Sequence, residues 1–316
     1  MKRALILASV ASMIEQFNLS NIELLQNMGY RVDIACNFKT GSTYPEEKAK
    51  ALKEKLWAKG VHSYQIDFAR NITCLRSNIK AFWQVEQLLQ RKDYCFLHCH
   101  SPIGGVIGRI AGWRTHTKVL YTAHGFHFYR RAPKKNWLFY YPIERLCSYR
   151  TDLLITINQE DYDTAKRLLR AKKVAYIPGI GFDVANDRAR ALETDRKKKR
   201  AELGIKPNTI MLLSVGELIP RKNHREIIAI LSGLGISNIK YVICGKGVGE
   251  KELRKEAERY EVRDKVCLLG FRTDIRGNNE LIENGVNGTR VQIGDKKAWI
   301  KAIRKWIKVD NNFSES

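Results

Sequence analysis

A pair of cations follows one of the apolar runs of the sequence. Residues 209–215 form an apolar, strand-like segment, and Arg221 and Lys222 come shortly after it, at the start of a segment with helical spacing. Guanidinium and ammonium charges beside the free backbone N–H groups of a helix N-terminus bind anions such as phosphate. The sequence therefore predicts an anion site here, although an ordinary surface pair of basic residues would have the same local pattern.

A glycine-rich loop follows the next apolar run. Residues 239–244 lead into the sequence GKGVG (245–249) and then into another helical segment. Glycines at such a position let the backbone approach a ligand closely. The loop lacks the full spacing of the dinucleotide-binding motif and the Lys-Ser/Thr ending of the phosphate-binding loop, so by itself it identifies no particular ligand.

A histidine marks the end of a third apolar run. His124 follows segment 118–122 and stands beside Gly125. A histidine at a strand end is well placed to face a ligand in a cleft. A half-buried structural histidine is the alternative interpretation, because histidine is commonly found in that environment.

Four further residues have side chains that can bind zinc, namely Cys95, His98, Cys99 and His100. Side chains alternate along a strand, so the two histidines share one face and the two cysteines share the other. One metal ion could not be reached by all four side chains. We therefore predict no metal site.

The elements that position these residues alternate along the chain. Short runs rich in Val, Ile and Leu are predicted strands, and the segments between them have helical periodicity. The predicted strands are 3–7, 31–36, 61–67, 94–99, 118–122, 152–157, 209–215, 239–244 and 265–269, and the predicted helices are 12–28, 76–91, 103–112, 136–149, 159–170, 222–231, 248–260 and 296–308. This alternation indicates parallel sheets that are covered by helices on both faces.

We therefore predict an α/β protein with two Rossmann-like domains that face a cleft. The first domain spans residues 1–177, a hinge and charged linker spans 178–204, and the second domain spans 205–316. Ligands of such sheets bind at the carboxyl ends of the strands, which places the residues discussed above at the cleft.

The overall charge is strongly basic. The 56 Lys+Arg against 33 Asp+Glu give a formal charge of +23, which favours anionic partners, with a merely solvated basic surface as the alternative. Nucleic acid is not predicted, because no reading element or aromatic platform accompanies the basic residues. Segment 129–150 mixes basic with aromatic residues. This mixture predicts contact with an anionic membrane surface, although a buried amphipathic helix explains the aromatic residues equally well.

The same sequence predicts a cytoplasmic protein that is peripheral at the inner face of the cell membrane. Seven cysteines without a C-x-x-C motif, most of them inside apolar runs, are typical of a reducing compartment. The first apolar run, ALILASVAS, is short and leads into a helical pattern, so it is interpreted as a buried strand and not as a signal peptide. No apolar run approaches the ~20 residues that span a bilayer.

Six motifs, taken together and in order, resemble a known family. They are YTAHGFHF (121–128), IPGIGFD (177–183), SVGELIPRKNH (214–224), ICGKGVGEKELRKEAE (243–258), VCLLGFRTDI (266–275) and GNNELIENGVNG (277–288). The set resembles the retaining, nucleotide-sugar-dependent glycosyltransferases of family 4, which have the GT-B fold. It is most similar to the bacterial branch that builds exopolysaccharide and capsule repeat units.

The resemblance implies that the second domain holds a nucleoside-diphosphate sugar as donor. Lys222, with Arg221 beside it, matches the position that neutralises the diphosphate. Gly245 and Gly247 match the glycine loop near the nucleotide. Arg272 lies in the segment that matches the wall of the donor site beside the nucleotide base.

In the first domain, the resemblance implies a catalytic role for His124, which matches the histidine that contacts the transferred sugar. Ser9 and Met13, in the loop after the first strand, and His127 match the side of the lipid-linked saccharide acceptor. Neither a cofactor nor a metal is implied, because cationic groups, backbone N–H groups and the helix dipole stabilise the leaving diphosphate.

The sequence departs from the family pattern in two respects. Family members often have Arg where this chain has Glu217, and Arg221 is the candidate substitute for that diphosphate contact. After residue 275 the family continues through further helices and strands that carry two donor-binding glutamates, but here the chain runs directly into GNNELIENG. One strand–helix–strand unit takes about 30 or more residues. We therefore interpret the second domain as incomplete, with an internal deletion near residues 275–277 and a clipped C-terminus, and with Glu280 as the donor-binding carboxylate that is left.

The sequence thus predicts sugar transfer from a nucleoside-diphosphate sugar to a lipid-linked or polysaccharide acceptor. Loss of the paired-glutamate region predicts weak or absent activity for this chain. The alternative hypothesis, from another class of function, is that the chain is a non-catalytic remnant or a nucleotide-binding module.

Overall fold

A computed structural model of the protein describes residues 2–39, 45–69, 71–130, 132–179, 193–271 and 295–313, without the side chains of 193–196 and 306–313. The chain divides into two compact units, Met1–Gly181 (unit 1) and Phe182–Ser316 (unit 2). Each unit has its own parallel sheet. Residues 180–192 of the predicted hinge lie outside the described residues.

Unit 1 is a doubly wound α/β unit. Its described strands form one sheet in the order β3-β2-β1-β4-β5-β6-β7, and every neighbouring pair is parallel. In chain order the elements are β1 Arg3–Leu7, α1 Ala11–Phe17, α2 Leu19–Asn27, β2 Arg31–Cys36, α3 Glu46–Ala58, β3 His62–Gln65, α4 Leu75–Arg91, β4 Phe96–His100, α5 Pro102–Arg114, β5 Lys118–Ala123, α6 Lys134–Ser148, β6 Leu153–Thr156, α7 Gln159–Leu168 and β7 Lys173–Tyr176.

The central strand β1 shows why this sequence forms a sheet covered on both sides. Leu5 and Leu7 pack in a cluster with α4 and α5, whereas Ile6 packs in a second cluster with α1, α2 and α3. Successive side chains of a strand point to opposite faces, so a fully apolar run buries both faces at once. Because β4 pairs in parallel with both β1 and β5, the carboxyl ends of these three strands lie side by side at one edge of the sheet.

Helix α5 lies unusually close to this sheet because glycines face it. A Cβ atom placed on Gly105 would be 2.5 Å from the ring of Tyr121, and one on Gly108 would be 2.3 Å from Cys99 Sγ. Such distances leave no room for any side chain at these two positions. The N-terminus of α5 is thereby held at the strand ends, next to the loop that follows β1.

Unit 2 is the smaller α/β unit. Its described strands form a parallel sheet in the order β10-β9-β8. The elements are α8 Glu193–Glu202, β8 Ile210–Val215, a 3₁₀ turn Pro220–Lys222, α9 His224–Leu231, β9 Ile239–Cys244, α10 Glu250–Arg259, a 3₁₀ turn Arg263–Lys265, β10 Val266–Gly270 and α11 Lys296–Phe313.

The predicted α/β class and the nine predicted strands are confirmed, with ends that differ by one or a few residues. The predicted helix 12–28 is wrong in one respect, because buried Asn18 interrupts it and donates its side-chain N–H to the carbonyl of Met13 at 3.1 Å. The predicted helix 222–231 begins at His224, because Asn223 has a left-handed conformation with φ of 53°. Helix α3 and strand β7 were not predicted. The predicted deletion near 275–277 lies outside the described residues.

Candidate functional site

Three histidines of unit 1 meet at the carboxyl ends of β4 and β5. His100 Nδ1 lies 3.1 Å from His124 Nε2, and the rings of His98 and His100 are 4.2 Å apart between centroids. His98 Nε2 is 2.8 Å from the hydroxyl of Thr122. We call these four residues the histidine cluster. The ring of Phe17, from α1, packs beside His124 with centroids 5.3 Å apart.

The register of the two strands explains the histidine cluster. His100 pairs with Thr122 across the parallel ladder, and His98 lies two residues earlier on the same face of β4. His124 follows β5 two residues after Thr122, so it continues the same face. Alternation along two neighbouring strands therefore brings three imidazoles together.

The histidine cluster is neutral near pH 7. Burial lowers the pKa of His98 to about 4, and the neighbouring His124 lowers it further. Burial also lowers the pKa of His100, with His98 and His124 acting in the same direction, and burial alone lowers the pKa of His124. Desolvation disfavours the charged imidazole. The histidine cluster can therefore exchange hydrogen bonds with a polar ligand, but it does not supply a positive charge.

The loop after β5 is held by the first turn of α7. Asn158 caps this helix by accepting the N–H of Asp161 at 2.7 Å. Asp161 in turn accepts the backbone N–H of Phe126 at 3.0 Å, and Glu160 accepts that of Arg130 at 2.7 Å. Burial raises the pKa of Asp161, although the hydrogen bonds from Asn158 and Phe126 act against this shift. The loop that carries His124 and His127 is thus fixed from a second element.

A pocket of about 230 Å³ opens beside this loop. Ser9 lies on one side of it, residues 125–128 form another, and Tyr140 and Ile143 of α6 close it. The ring of His127 stacks on Tyr140 with centroids 4.5 Å apart. The structure therefore brings together two of the three residues predicted for the acceptor side, Ser9 and His127. Met13 and His124 do not line this pocket.

A buried ion pair lies at the edge of the same pocket. Glu144 lines it and accepts two hydrogen bonds from Arg109, at 2.8 and 3.0 Å. Arg109 is only 1% exposed, and its guanidinium lies 4.2 Å from the ring centroid of Tyr121. Burial acts to lower the pKa of Arg109, but Glu144 and Tyr121 outweigh it and raise that pKa. The pair joins α5 to α6 and fixes a carboxylate beside the pocket.

Ser9 is positioned by an unusual residue at the start of α5. Ser101 has φ of 68° and ψ of 153°, a conformation that non-glycine residues rarely adopt. Its hydroxyl accepts the backbone N–H of Ser9 at 3.2 Å. The loops after β1 and β4 are therefore joined directly, and the strained backbone lies where they meet.

In unit 2, the predicted cations lie on an exposed turn after β8. Arg221 and Lys222 belong to the 3₁₀ turn Pro220–Lys222, and both are exposed. The aliphatic part of Lys222 lies over Gly216, since a Cβ on that glycine would be 3.5 Å from Lys222 Cδ. The ammonium group is thereby held near the carboxyl end of β8. An exposed pair of cations at a strand end can bind a phosphate group.

His224, the first residue of α9, is buried close to this turn in the sequence. It is 6% exposed, and this burial lowers its pKa. Two weaker influences act in opposite directions: hydrogen bonds with the backbone of Glu217 and Gly216 raise the pKa, and the charge of Lys222 lowers it. Glu217 is exposed on the same loop.

The glycines of the loop after β9 have a structural reason that the sequence did not predict. A Cβ on Gly245 would be 1.8 Å from the carbonyl oxygen of Gly216, and one on Gly247 would be 2.5 Å from that of Leu218. Leu218 also donates its N–H to Lys246 at 3.1 Å. These glycines therefore allow the loop after β9 to pack on the backbone of the loop after β8. We call the two loops together the paired loops.

The predicted donor residues divide into two groups. The structure brings Arg221, Lys222, Gly245 and Gly247 together at the paired loops, whereas Arg272 and Glu280 lie outside the described residues. Phe271 is 57% exposed after β10. Sequence reasoning missed the contact of His100 with His124 and the buried partners Arg109 and Glu144. Residue alternation along neighbouring strands could have revealed the first.

Helix α6 has an exposed apolar face. Leu138 is 81% exposed, Leu146 is 70% exposed and Phe139 is 48% exposed. The opposite side of the helix packs on the core through Trp137 and Tyr141. The helix thus has both of the properties that its sequence allowed, a buried aromatic face and an exposed apolar one. Within the described part of the chain, no helix is long and apolar enough to cross a membrane.

Comparison with known proteins identifies the family. Residues 5–158 match the family model described as "Glycosyl transferase 4-like", and residues 195–276 match "Glycosyl transferases group 1". The Bacillus subtilis (strain 168) protein EpsD, named as a glycosyltransferase, is 32% identical over 349 residues, covering 96% of this chain and 87% of EpsD. The chain belongs to the family 4-type glycosyltransferases.

Another relative within these glycosyltransferases comes from Escherichia coli. It is named as a UDP-Gal:alpha-D-GlcNAc-diphosphoundecaprenol alpha-1,3-galactosyltransferase, and it is 26% identical over 344 residues, covering 94% of this chain and 85% of its own. Among solved structures, Anabaena HepE in complex with UDP and glucose has a TM-score of 0.66 at 18% identity, over 87% of this chain and 70% of HepE. The galactosyltransferase WaaB has a TM-score of 0.62 at 14% identity, over 98% and 91% of the two chains. These likenesses show the GT-B fold.

Proposed function

We propose that this glycosyltransferase binds a UDP-sugar at the paired loops of unit 2 and transfers the sugar to a lipid-linked saccharide that unit 1 binds. The exposed pair Arg221 and Lys222 at the end of β8 carries the proposal, because it offers two positive charges at a strand end. The names of the relatives support it. HepE was solved with UDP and glucose, and the Escherichia coli relative is named for UDP-Gal and a diphosphoundecaprenol-linked acceptor.

In the proposed reaction, the donor diphosphate lies on Lys222 and Arg221, and these charges stabilise it as it leaves. His124 contacts the transferred sugar, and the pocket beside Ser9 and His127 receives the acceptor. The transfer retains the configuration of the sugar and needs neither a metal ion nor a cofactor. The product enters exopolysaccharide or capsule synthesis.

One observation favours a second candidate, a nucleotide-binding module that transfers sugar weakly or not at all. The alignment with EpsD spans 349 residues, more than the 316 of this whole chain, so EpsD has residues without a counterpart here. The second family model matches only as far as residue 276. The first fact supports missing residues somewhere within the chain, and the second favours a position near residue 276, where the resemblance implies the paired glutamates of the family.

The first experiment measures UDP binding by isothermal titration calorimetry. We expect Lys222→Ala to weaken UDP binding by about 10- to 150-fold, because a lost charge-assisted contact is worth roughly 1.5–3 kcal/mol. Lys255→Ala, which removes an exposed charge on α10, is the matched control and should leave the affinity nearly unchanged. Equal affinities for the wild type and Lys222→Ala would contradict the proposed donor site.

The two candidate functions are separated by a transfer assay on the same preparation. UDP-sugars and a GlcNAc-diphosphate lipid are incubated with the wild type, with and without a chelator, and the anomeric configuration of any product is determined. Transfer that resists the chelator and retains the configuration supports the enzyme. UDP binding without transfer supports the binding module.

We further propose that the exposed apolar face of α6 brings the protein to the anionic inner face of the cell membrane. Leu138 stands next to the exposed cations Lys134 and Lys135 in the same helix. Apolar side chains beside basic ones suit an acidic lipid surface.

Sedimentation with anionic vesicles tests this surface. We expect the wild type to sediment, Leu138→Glu to sediment several-fold less, and salt to release the protein, because surface charges are screened within ~10 Å at 0.1 M salt. Val248→Glu is the matched control, since Val248 is a 90% exposed apolar residue of unit 2. Equal binding to neutral vesicles, or equal losses in the two variants, would contradict the proposal.

A further inference from the structure

His124 and His100 share one hydrogen bond, and only one of them can donate it. The two nitrogens, His100 Nδ1 and His124 Nε2, are 3.1 Å apart. A neutral imidazole has one N–H donor and one acceptor nitrogen. Burial keeps both rings neutral by lowering their pKa values. The direction of this hydrogen bond therefore decides which nitrogen of His124 carries its proton.

The other nitrogen of His100 decides the direction. His100 Nε2 is buried and has no hydrogen-bond partner among the described residues. If His100 accepted the bond at Nδ1, its proton would lie on Nε2, as a buried N–H without an acceptor. If His100 donates from Nδ1, Nε2 has only an unused lone pair. Orphaned buried N–H groups are rarer in proteins than under-used acceptors, so the second arrangement is favoured.

We propose that His100 fixes the tautomer of His124, so that His124 keeps its proton on Nδ1 and presents this N–H to the ligand. His124 Nε2 is occupied as the acceptor from His100. No other hydrogen bond joins His124 to the part of the chain that the structure describes. The Nδ1 edge is therefore the edge left for a ligand.

This assignment gives the two residues different roles. His124 acts as a neutral hydrogen-bond donor toward an oxygen of the substrate, such as a sugar hydroxyl, and it neither removes a proton nor provides a charge. His100 is a positioning residue, which acts only through His124. The catalytic role given to the N–H of His124 rests on the proposed function, whereas the assignment of the tautomer does not.

The tautomer can be read directly by NMR. The protein with ¹⁵N-labelled histidine is measured without ligand at pH 7.5, and His124→Gln identifies the resonances that belong to His124 among the seven histidines. We expect the protonated nitrogen of His124 to be Nδ1 in the wild type. A wild-type spectrum in which Nε2 carries the proton would overturn the proposal, whatever the variants do.

Two variants test the role of His100. His100→Phe keeps a buried ring without the donor, and it should move the proton of His124 toward Nε2, the form that free histidine favours. His100→Asn places an amide N–H near the position of Nδ1, and it should restore the wild-type ¹⁵N shifts. Thr122→Val is the matched control, because Thr122 bonds to His98 and not to His124, so it should leave these shifts unchanged. An unchanged His124 spectrum in His100→Phe would refute the role of His100.

UDP affinity separates this proposal from the proposed function. His100→Phe should bind UDP as the wild type does, because Lys222 and the paired loops are intact. A protein that fails to bind UDP at all but shows the Nδ1 tautomer would contradict the donor site and leave the tautomer assignment standing.

Discussion

The two units present polar groups to a ligand in opposite ways. In unit 1, the histidines and the Arg109–Glu144 pair are part of the packed interior, and their positions follow from strand register and helix packing. In unit 2, Arg221 and Lys222 are exposed, and the backbone of the paired loops sets their place. The difference indicates that changes to the site residues of unit 1 alter stability as well as binding, whereas changes to the cations of unit 2 alter binding alone.

The largest expected effect comes from the ion pair of unit 1. Glu144→Gln should lower the free energy of unfolding of unit 1 by about 3–5 kcal/mol, because it leaves the charge of buried Arg109 without its partner. Hydrogen–deuterium exchange of the β4 and β5 amides reports this free energy. Replacing both partners by apolar residues, Arg109→Met with Glu144→Leu, should recover most of the loss.

An exposed pair in unit 2 is the matched control for that result. Arg254 and Glu250 lie on α10 with their side chains 59% and 42% exposed. Arg254→Ala should cost only about 0.3–0.5 kcal/mol, measured on the β9 amides. Similar losses in the two units would break the contrast between a buried and an exposed polar site.

A smaller effect is expected on the pH dependence of the stability of unit 1. The pKa of His98 is about 4 in the folded protein, against 6.5 for an exposed histidine. Between these two pH values the unfolded chain binds a proton that the folded chain does not, so the stability of unit 1 falls as the pH falls from 6.5 to 4. The full shift corresponds to about 3 kcal/mol, of which only part is reached by pH 5.

His98→Phe isolates this contribution. The variant should show a flatter loss of stability than the wild type between pH 6.5 and 4.5, measured by exchange of the β4 and β5 amides, because it has no group to protonate at this position. The β9 amides of unit 2 should respond to pH equally in both proteins. Identical pH profiles for unit 1 would show that His98 does not titrate in this way.

The sequence was sufficient to predict the central strands, because β1, β2 and β4 are buried on both faces and are therefore mostly apolar. It was insufficient for β7, a short strand of four residues that begins and ends in exposed residues. Helix α3 was missed because seven charged residues among thirteen obscure its narrow apolar face of Ala49, Leu52 and Leu56. Both elements lie at the periphery, where packing and not local composition decides the structure.

The candidate site shows the same division. His124, Lys222 and the glycine loop could be found from the sequence, because they follow recognisable strands. The hydrogen bond from His100 required the register of β4 against β5, which a list of strands does not provide. The sequence did not reveal that Gly245 and Gly247 also pack on another part of the chain, 29 residues earlier in the sequence, because this contact joins two separate loops.

The paired loops have a consequence for anyone who wishes to change the donor preference by exchanging segments between relatives. Gly245 and Gly247 fit only against the particular backbone path of Gly216 and Leu218, and Gly249 donates its N–H to Leu218 at 2.9 Å. A graft that brings in the loop after β8 alone would meet a foreign partner at each of these points. The two loops form one transferable module, and a chimaera should take both from the same parent.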